Sequence, residues 1–236
     1  MFNLNSLDIK NLSVEIDNKI VLKNINLTIN NGEKHVLLGP NASGKSSLLY
    51  SLMGFPNYKI KSGTIFFNNT NISNLTIEQR AWLGIAAIYQ NPPEISIKLS
   101  KLLSTISQKK INLSKINNLL DRDVNVGFSG GERKLSELMQ VVSLNPNFVM
   151  LDEFDAGLDV ENLKNLSFIA NQELSNSSVL LITHRGKALK FFNPDFVHVL
   201  LDGKIICSSN NWKKIWNTIK EDGYERCKKC ALSSKR

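Results

Sequence analysis

Two stretches near the N-terminus, 7–16 and 20–29, set apolar and polar residues in partial alternation, with Asp17-Asn18 between them. Period-two alternation interrupted by such a pair predicts an antiparallel hairpin. Asn31-Gly32 is a second turn signal. The later apolar runs differ in kind. His35-Val36-Leu37-Leu38, Ile85-Ala86-Ala87-Ile88-Tyr89, Phe148-Val149-Met150-Leu151 and Val179-Leu180-Leu181-Ile182-Thr183 are continuous rather than alternating. Continuous runs predict strands buried on both faces, as in a parallel sheet. Ile65-Phe66-Phe67 reads as a further short strand, closed by an Asn68-Asn69 turn.

Helical spacing fills the intervals at 47–53, 76–83, 130–144, 160–174 and 211–220. Thr76 with Gln79 three residues on reads as a capping box, and Gly84 as the stop. Asp202-Gly203 between 196–201 and 204–207 is a hairpin signal. Strands alternating with helices predict an α/β fold: a mostly parallel sheet covered on both faces, with an N-terminal antiparallel β part. From Asn91 to Phe128 the pattern changes. Pro92-Pro93 opens this segment, and 98–106 and 114–120 have helical spacing. We therefore expect one domain over 1–236, a small inserted helical subdomain at 91–144, and a short basic tail at 225–236.

Composition narrows the picture only a little. Hydrophobic content of 42% and charged content of 21% suit a chain that buries a core. No apolar run reaches the length of a membrane span, and Met1-Phe2-Asn3-Leu4-Asn5-Ser6 lacks the layout of a signal peptide. A cytoplasmic protein without direct membrane insertion is expected. The net charge is +8, but its clusters, Lys213-Lys214, Lys228-Lys229 and Lys235-Arg236, form no stripe interleaved with aromatics. That reads as a solvated surface rather than a nucleic-acid face. Cys207, Cys227 and Cys230 do not make a disulfide scaffold, and Cys227-Lys228-Lys229-Cys230 is only half a zinc site.

The candidate chemistry centres on Gly39-Pro40-Asn41-Ala42-Ser43-Gly44-Lys45-Ser46, followed by Ser47. The stretch fits G-x-x-x-x-G-K-[ST] and sits between a buried strand and a helix. That context gathers backbone N–H groups around one anion. Lys45 would reach the terminal phosphates of a nucleotide, and the Ser46 hydroxyl would hold Mg²⁺. Phe128-Ser129-Gly130-Gly131-Glu132 opens another expected helix, where Ser129 can cap and the glycines admit a phosphate to the backbone. Downstream, an apolar strand ends in Asp152-Glu153.

These three features together resemble the ABC ATPases, whose signature is usually written L-S-G-G-Q. Phe128 replaces the leucine here and Glu132 the glutamine. The resemblance implies binding and hydrolysis of ATP with Mg²⁺. It assigns Mg²⁺ to Ser46, Asp152 and Gln90, and the catalytic carboxylate to Glu153. Gln90 matches the Q-loop, Ala156-Gly157-Leu158-Asp159 the D-loop, and His184 the switch histidine at the γ-phosphate. It also implies head-to-tail dimerisation, with Ser129, Gly130, Gly131, Glu132 and Asp159 acting on a nucleotide held by the other subunit's P-loop. An aromatic residue that often stacks on adenine is replaced by Ile20, so a choice of ATP over GTP is not legible.

Further residues resemble the Suf-type ATPases of iron–sulfur cluster assembly. They are Arg80-Ala81-Trp82-Leu83-Gly84-Ile85, Tyr89-Gln90-Asn91-Pro92-Pro93-Glu94-Ile95, Asn125-Val126-Gly127 through Lys134, Leu151-Asp152-Glu153-Phe154-Asp155-Ala156-Gly157-Leu158-Asp159, and Glu221-Asp222-Gly223-Tyr224. The helical subdomain is shorter than in typical bacterial members. The implied partner is a soluble scaffold of the SufB or SufD type. The alternative is the ATP-binding subunit of a membrane transporter. A DNA-maintenance ATPase is disfavoured, since no long heptad insertion interrupts the chain.

Overall fold

Asp17 and Asn18 both adopt positive φ, 46° and 61°, a conformation that Asp and Asn tolerate better than most residues. They fold strand β1 (Asn5–Ile16) back onto β2 (Lys19–Asn30) as an antiparallel pair. Leu22, Ile25, Leu27 and Ile29 of β2 are buried while Lys23, Asn26 and Thr28 face out. The alternation slips between Leu22 and Ile25, where Asn24 has φ 54° and the pairing register shifts. That bulge explains why the sequence pattern there is only partial. The computed structural model describes residues 5–108 and 112–227. Most of the expected basic tail, including Cys230, and the first four residues lie outside these.

The chain continues through β3 (Lys34–Leu38), α1 (Lys45–Met53), β4 (Lys59–Phe67) and β5 (Thr70–Asn71). Strand β4 is longer than the three residues expected. Its first half is largely exposed, so no apolar signal marks it. Strands β2, β1, β4 and β5 form an antiparallel sheet in that order. Helix α2 (Ile77–Trp82) begins with the expected capping box: Thr76 N donates to Gln79 Oε1 at 2.9 Å, and Gln79 N to Thr76 Oγ1 at 3.4 Å. Strand β6 (Ile85–Ile88) follows. Arg80 of α2 is buried and donates to the carbonyls of Ser51 and Leu52, so it satisfies acceptors at the C-terminal end of α1.

Next come β7 (Ile95–Lys98), α3 (Leu99–Ile106), a 3-10 stretch (Leu113–Leu119), β8 (Asp123–Val124) and α4 (Gly130–Ser143). Two expectations need correction. The 114–120 segment is 3-10 rather than α-helical, kinked at Ile116 (φ −130°). The region is also not purely helical, because β7 and β8 pair antiparallel. Leu99, Leu103, Ile116, Leu119, Val124, Phe128 and Met139 form a small core of their own here. The kink and the pairing are set by that packing, which apolar spacing within a single helix does not encode.

The remaining elements are β9 (Phe148–Asp152), α5 (Val160–Glu173), β10 (Ser178–Thr183), α6 (Leu189–Phe192), β11 (Phe196–Leu201), β12 (Lys204–Ser209) and α7 (Trp212–Asp222). Helix α6, a single turn, was not anticipated. The central sheet runs β12-β11-β3-β10-β9-β6, all parallel except the edge strand β12. Leu37, Met150, Leu180 and Ile182 pack toward the antiparallel sheet and α1. Val36, Leu38, Leu151 and Leu181 pack toward α4, α5 and α7. Both faces are covered, which is why the central strands read as unbroken apolar runs.

One polar chain crosses an edge of this sheet. His35 Nε2 lies 2.9 Å from Glu33 Oε2, His35 Nδ1 lies 2.9 Å from His198 Nε2, and His198 Nδ1 lies 2.7 Å from Ser208 Oγ. Burial, and then the neighbouring His35, hold His198 down at about 3 against an ordinary 6.5. The folded chain therefore binds fewer protons there than the unfolded chain. The stability from this group is complete above pH 6.5 and is lost as pH falls toward 3, by up to about 1.4 kcal/mol per pH unit. We expect urea midpoints measured from pH 7 to pH 4 to fall more steeply for the native protein than for His198→Gln. Equal slopes would remove His198 from the account of acid sensitivity.

Candidate active site

Strand β3 ends at Leu38, and the chain then loops through Gly39–Gly44 before α1 begins at Lys45. Gly44 stands at the N-cap with φ 105°, a conformation open to glycine and strained for other residues. No side chain caps this helix start, so its first-turn N–H groups have no side-chain acceptor. The loop is clamped from outside: Gly203 N, at the β11–β12 turn, donates to Ser43 O at 3.0 Å, and Lys23 N donates to Gly203 O at 2.8 Å. Lys45 Nζ folds back over the loop, donating to Gly39 O at 2.9 Å and Pro40 O at 2.8 Å. Burial lowers the Lys45 pKa, while Glu153 and Asp152 act to raise it.

Strand β9 carries Asp152 at its end, and Glu153 follows with φ 45°. A non-glycine residue in that region is strained, by about 1 kcal/mol or more, and such strain concentrates at functional positions. Glu153 N donates to Ile182 O of β10 at 2.9 Å, which fixes the bend. Its carboxylate is held on both oxygens. Gln90 Nε2 donates to Oε2 at 2.6 Å, and His184 Nδ1 lies 3.1 Å from Oε1. Arg185 Nε donates to His184 Nε2 at 3.2 Å. A guanidinium cannot accept, so His184 carries its proton on Nδ1 and donates it to Glu153.

The donors at this point fit a magnesium ion. Ser46 Oγ lies 3.4 Å from Asp152 Oδ2, while Asp152 Oδ1 is buried with no hydrogen-bond partner. Burial, reinforced by the charge of Glu153, pushes the Asp152 carboxyl up to about 6. Two hard oxygens with an uncompensated buried lone pair suit Mg²⁺, which takes few protein ligands and completes its shell with water and phosphate. Among the described residues no group of three or more His, Cys, Asp or Glu is arranged to cage a metal by itself.

Asn41, Ala42, Gly44, Lys45, Ser46, Ser47, Gln90, Glu153 and His184 share one open cleft of about 790 Å³, walled on one side by Ile20 and Val21. No Phe, Tyr or Trp is among its described lining residues. Gly39, Pro40 and Ser43 form the loop backbone behind it.

Ser129, Gly130, Gly131 and Glu132 are elsewhere. They line a second cleft together with Gly157 and Leu158, and it shares no lining residue with the first. Ser129 and Glu132 form a capping box at the start of α4, with Ser129 N donating to Glu132 Oε2 at 2.9 Å and Glu132 N to Ser129 Oγ at 3.3 Å. A glutamine could make the same bonds, which accounts locally for the exchange at Glu132. Asp159 caps α5 by accepting from Asn162 N at 2.8 Å and lines neither cleft. The residues expected to act on one nucleotide are thus divided between two separate surfaces of the chain.

Three participants escaped the sequence reading. Lys134 Nζ donates to Tyr89 O at 3.0 Å and Gln90 O at 3.3 Å, tying the helix that follows Ser129 to the backbone of Gln90. Thr183 Oγ1 donates to the buried Asp155 carboxylate at 2.8 Å and anchors the segment before His184. Arg185 orients His184, as described above. A lysine in the second turn of a helix, or an arginine after a histidine, carries no spacing signal that would assign it such a contact.

The family model described as "ABC transporter" matches residues 22–156. A Cyanophora paradoxa protein named "Probable ATP-dependent transporter ycf16" is 39% identical over 225 residues, covering 85% of this chain and 86% of its own length. A Plasmodium berghei protein named "Iron-sulfur cluster assembly protein SufC" is 38% identical and covers 90% of this chain and 64% of its own length. A Streptococcus pyogenes protein named as a probable ABC transporter ATP-binding protein is 34% identical over 92% of this chain and 93% of its own. In fold, the chain is similar to a solved ATP-binding cassette of an ABC transporter, with TM-score 0.80 at 23% identity over 94% of this chain and 98% of that one.

Proposed function

Since this chain belongs to the ABC transporter family of ATP-binding proteins and is an ATPase, we propose that it drives a soluble iron–sulfur cluster assembly scaffold of the SufB/SufD type through ATP-dependent head-to-tail dimerisation. The observation that carries this reading is the division of the site into two clefts, one with Lys45 and Glu153 and the other with Ser129 and Gly131. A single copy holds two half-sites that do not meet, and two copies placed head to tail complete both.

In this reading Lys45 and the uncapped N–H groups of α1 hold the phosphates of ATP. Ser46 and Asp152, with Gln90, would hold Mg²⁺, which would supply charge neutralisation at the phosphates. Glu153 orients the attacking water and takes up its proton. Gln90 and His184 each bond one oxygen of the Glu153 carboxylate and so fix its direction, and His184 turns toward the terminal phosphate when ATP is present. Ser129 and Gly131 act on the nucleotide of the other subunit, so ATP joins the dimer and its hydrolysis releases it.

The Suf assignment draws on the 38% identical relative and on an exposed apolar surface beside Gln90. Ile95, Ile97 and Val126 are each about two-fifths exposed. Asn125 Nδ2 donates to Pro93 O at 2.9 Å, so this ledge is tied to the segment that leads into Ser129. We propose that 91–144 acts as the subdomain on which the scaffold docks. Two copies on one scaffold have a raised effective concentration, so ATP turnover should rise severalfold when a purified SufB/SufD-type scaffold is added. Ile95→Asp should cancel the rise and leave the basal rate unchanged. The transporter reading is favoured by the names of the 39% and 34% identical relatives. Absence of stimulation, together with co-purification of a membrane permease, would decide for it. Among the described residues no helix is long and apolar enough to cross a membrane.

A further inference from the structure

The segment Glu221-Asp222-Gly223-Tyr224 and the helix before it take no part in the site described above, since none of their residues lines either cleft. Their contacts nevertheless converge on the three residues after β10. Tyr224 Oη donates to His184 O at 3.4 Å. Gly186 lies against the indole of Trp216, and a Cβ built on it would come within 2.0–2.3 Å of Trp216 Cε2, Cδ2 and Cζ2. Gly186 is not among the residues with positive φ, so its backbone does not require glycine; the lack of a side chain is needed for clearance alone. Trp216 and Tyr224 pack against the main core beside the buried Ile215 and Ile219, so α7 offers a firm surface rather than a mobile one. On the opposite side the loop is held by Thr183 Oγ1, which accepts from Arg185 N at 2.9 Å and is itself bonded to Asp155.

We propose that helix α7 and the segment that follows it are the positioning device for the switch histidine, with Trp216 and Tyr224 setting the height of the 184–186 loop and thereby the reach of His184 over Glu153. The inference rests on the reading that His184 acts at the terminal phosphate. Trp216 and Tyr224 are positioning residues, because they touch the loop backbone and not the nucleotide cleft. A displacement of about 1 Å at a reacting group can cost up to about 100-fold in rate, whereas phosphate binding by Lys45 and α1 does not depend on this loop. The signature is therefore a loss of kcat with nucleotide affinity unchanged.

The test uses the full chain, with ATP turnover and ADP affinity measured side by side. Gly186→Ala should lower kcat by about tenfold or more with ADP affinity unchanged, and adding Trp216→Leu should restore much of the rate by returning the clearance. Tyr224→Phe, which removes one hydroxyl and leaves the packing, should lower kcat severalfold with ADP affinity unchanged. It should have no further effect in a His184→Ala background, because the two act through one group. A slow His184→Ala beside Tyr224→Phe and Gly186→Ala at the native rate would overturn the brace alone. A His184→Ala at the native rate would overturn the role of His184, and the brace with it. Equal loss of turnover and ADP affinity in Tyr224→Phe would also overturn it, as would failure of Trp216→Leu to rescue a folded Gly186→Ala.

Discussion

Glu153→Gln should bind ATP with near-native affinity and hydrolyse it slower by roughly 10²- to 10⁴-fold, the range of a positioned general base. The carboxylate contacts Gln90 and His184 at 2.6 and 3.1 Å and, among the described residues, makes no hydrogen bond to the 39–46 loop. Its replacement therefore removes action on water and leaves nucleotide contacts in place. The glutamine can still accept one of the two bonds, and Glu153 N keeps its bond to Ile182 O, so the bend after β9 should persist. Because hydrolysis is what releases the proposed dimer, the variant should accumulate as a dimer with ATP and Mg²⁺ present. Light scattering after size exclusion checks this. A variant that turns over at the native rate, or stays monomeric with ATP bound, contradicts the assignment.

Lys45→Ala should weaken ATP binding by roughly 100-fold, about the 3 kcal/mol of a strong charge-assisted contact to phosphate. Lys45 is the cation placed over the loop, and its Nζ bonds only the loop's own carbonyls, those of Gly39 and Pro40. Those bonds are ones a γ-phosphate can displace, so the ammonium is stored within reach of its ligand. Its removal also takes away one of the positive charges that oppose the upward push on Asp152. Melting temperature should change little, since the lysine closes no contact between core elements. Calorimetric titration with ATP gives the affinity, and native affinity in this variant would remove Lys45 from the phosphate site.

Much of the fold was legible because its cues are local. The Asp17-Asn18, Asn68-Asn69 and Asp202-Gly203 turns, the Thr76 capping box, the Ser129 cap and the four unbroken apolar strands each depend on residues within one turn or one strand of each other. The positions of Lys45, Ser46, Gln90, Asp152, Glu153 and His184 were legible for a related reason. Gln90, Asp152, Glu153 and His184 sit at or just after the end of a buried strand, Lys45 and Ser46 open the helix that a short loop joins to β3, and parallel strands deliver their ends to one edge of the sheet. The exposed half of β4 and the 3-10 turn at Ile116 were not legible, because pairing with β1 and packing against Leu99, Leu103 and Met139 decide them.

Residue type and short spacing were enough for the glycine-rich loop at 39–46, the Asp152-Glu153 pair and the alternation of strand and helix. It took the packed chain to place Ser129 and Lys45 in separate clefts, to bring Arg185 onto Nε2 of His184 and Lys134 onto the backbone of Gln90, and to set Trp216 and Tyr224 against the loop of His184. Those contacts join residues far apart in the chain or turn on the direction of a single side chain. Their energies arise from burial and geometry that no local pattern records, so the chemistry can be read along the chain while its control is set by the packing.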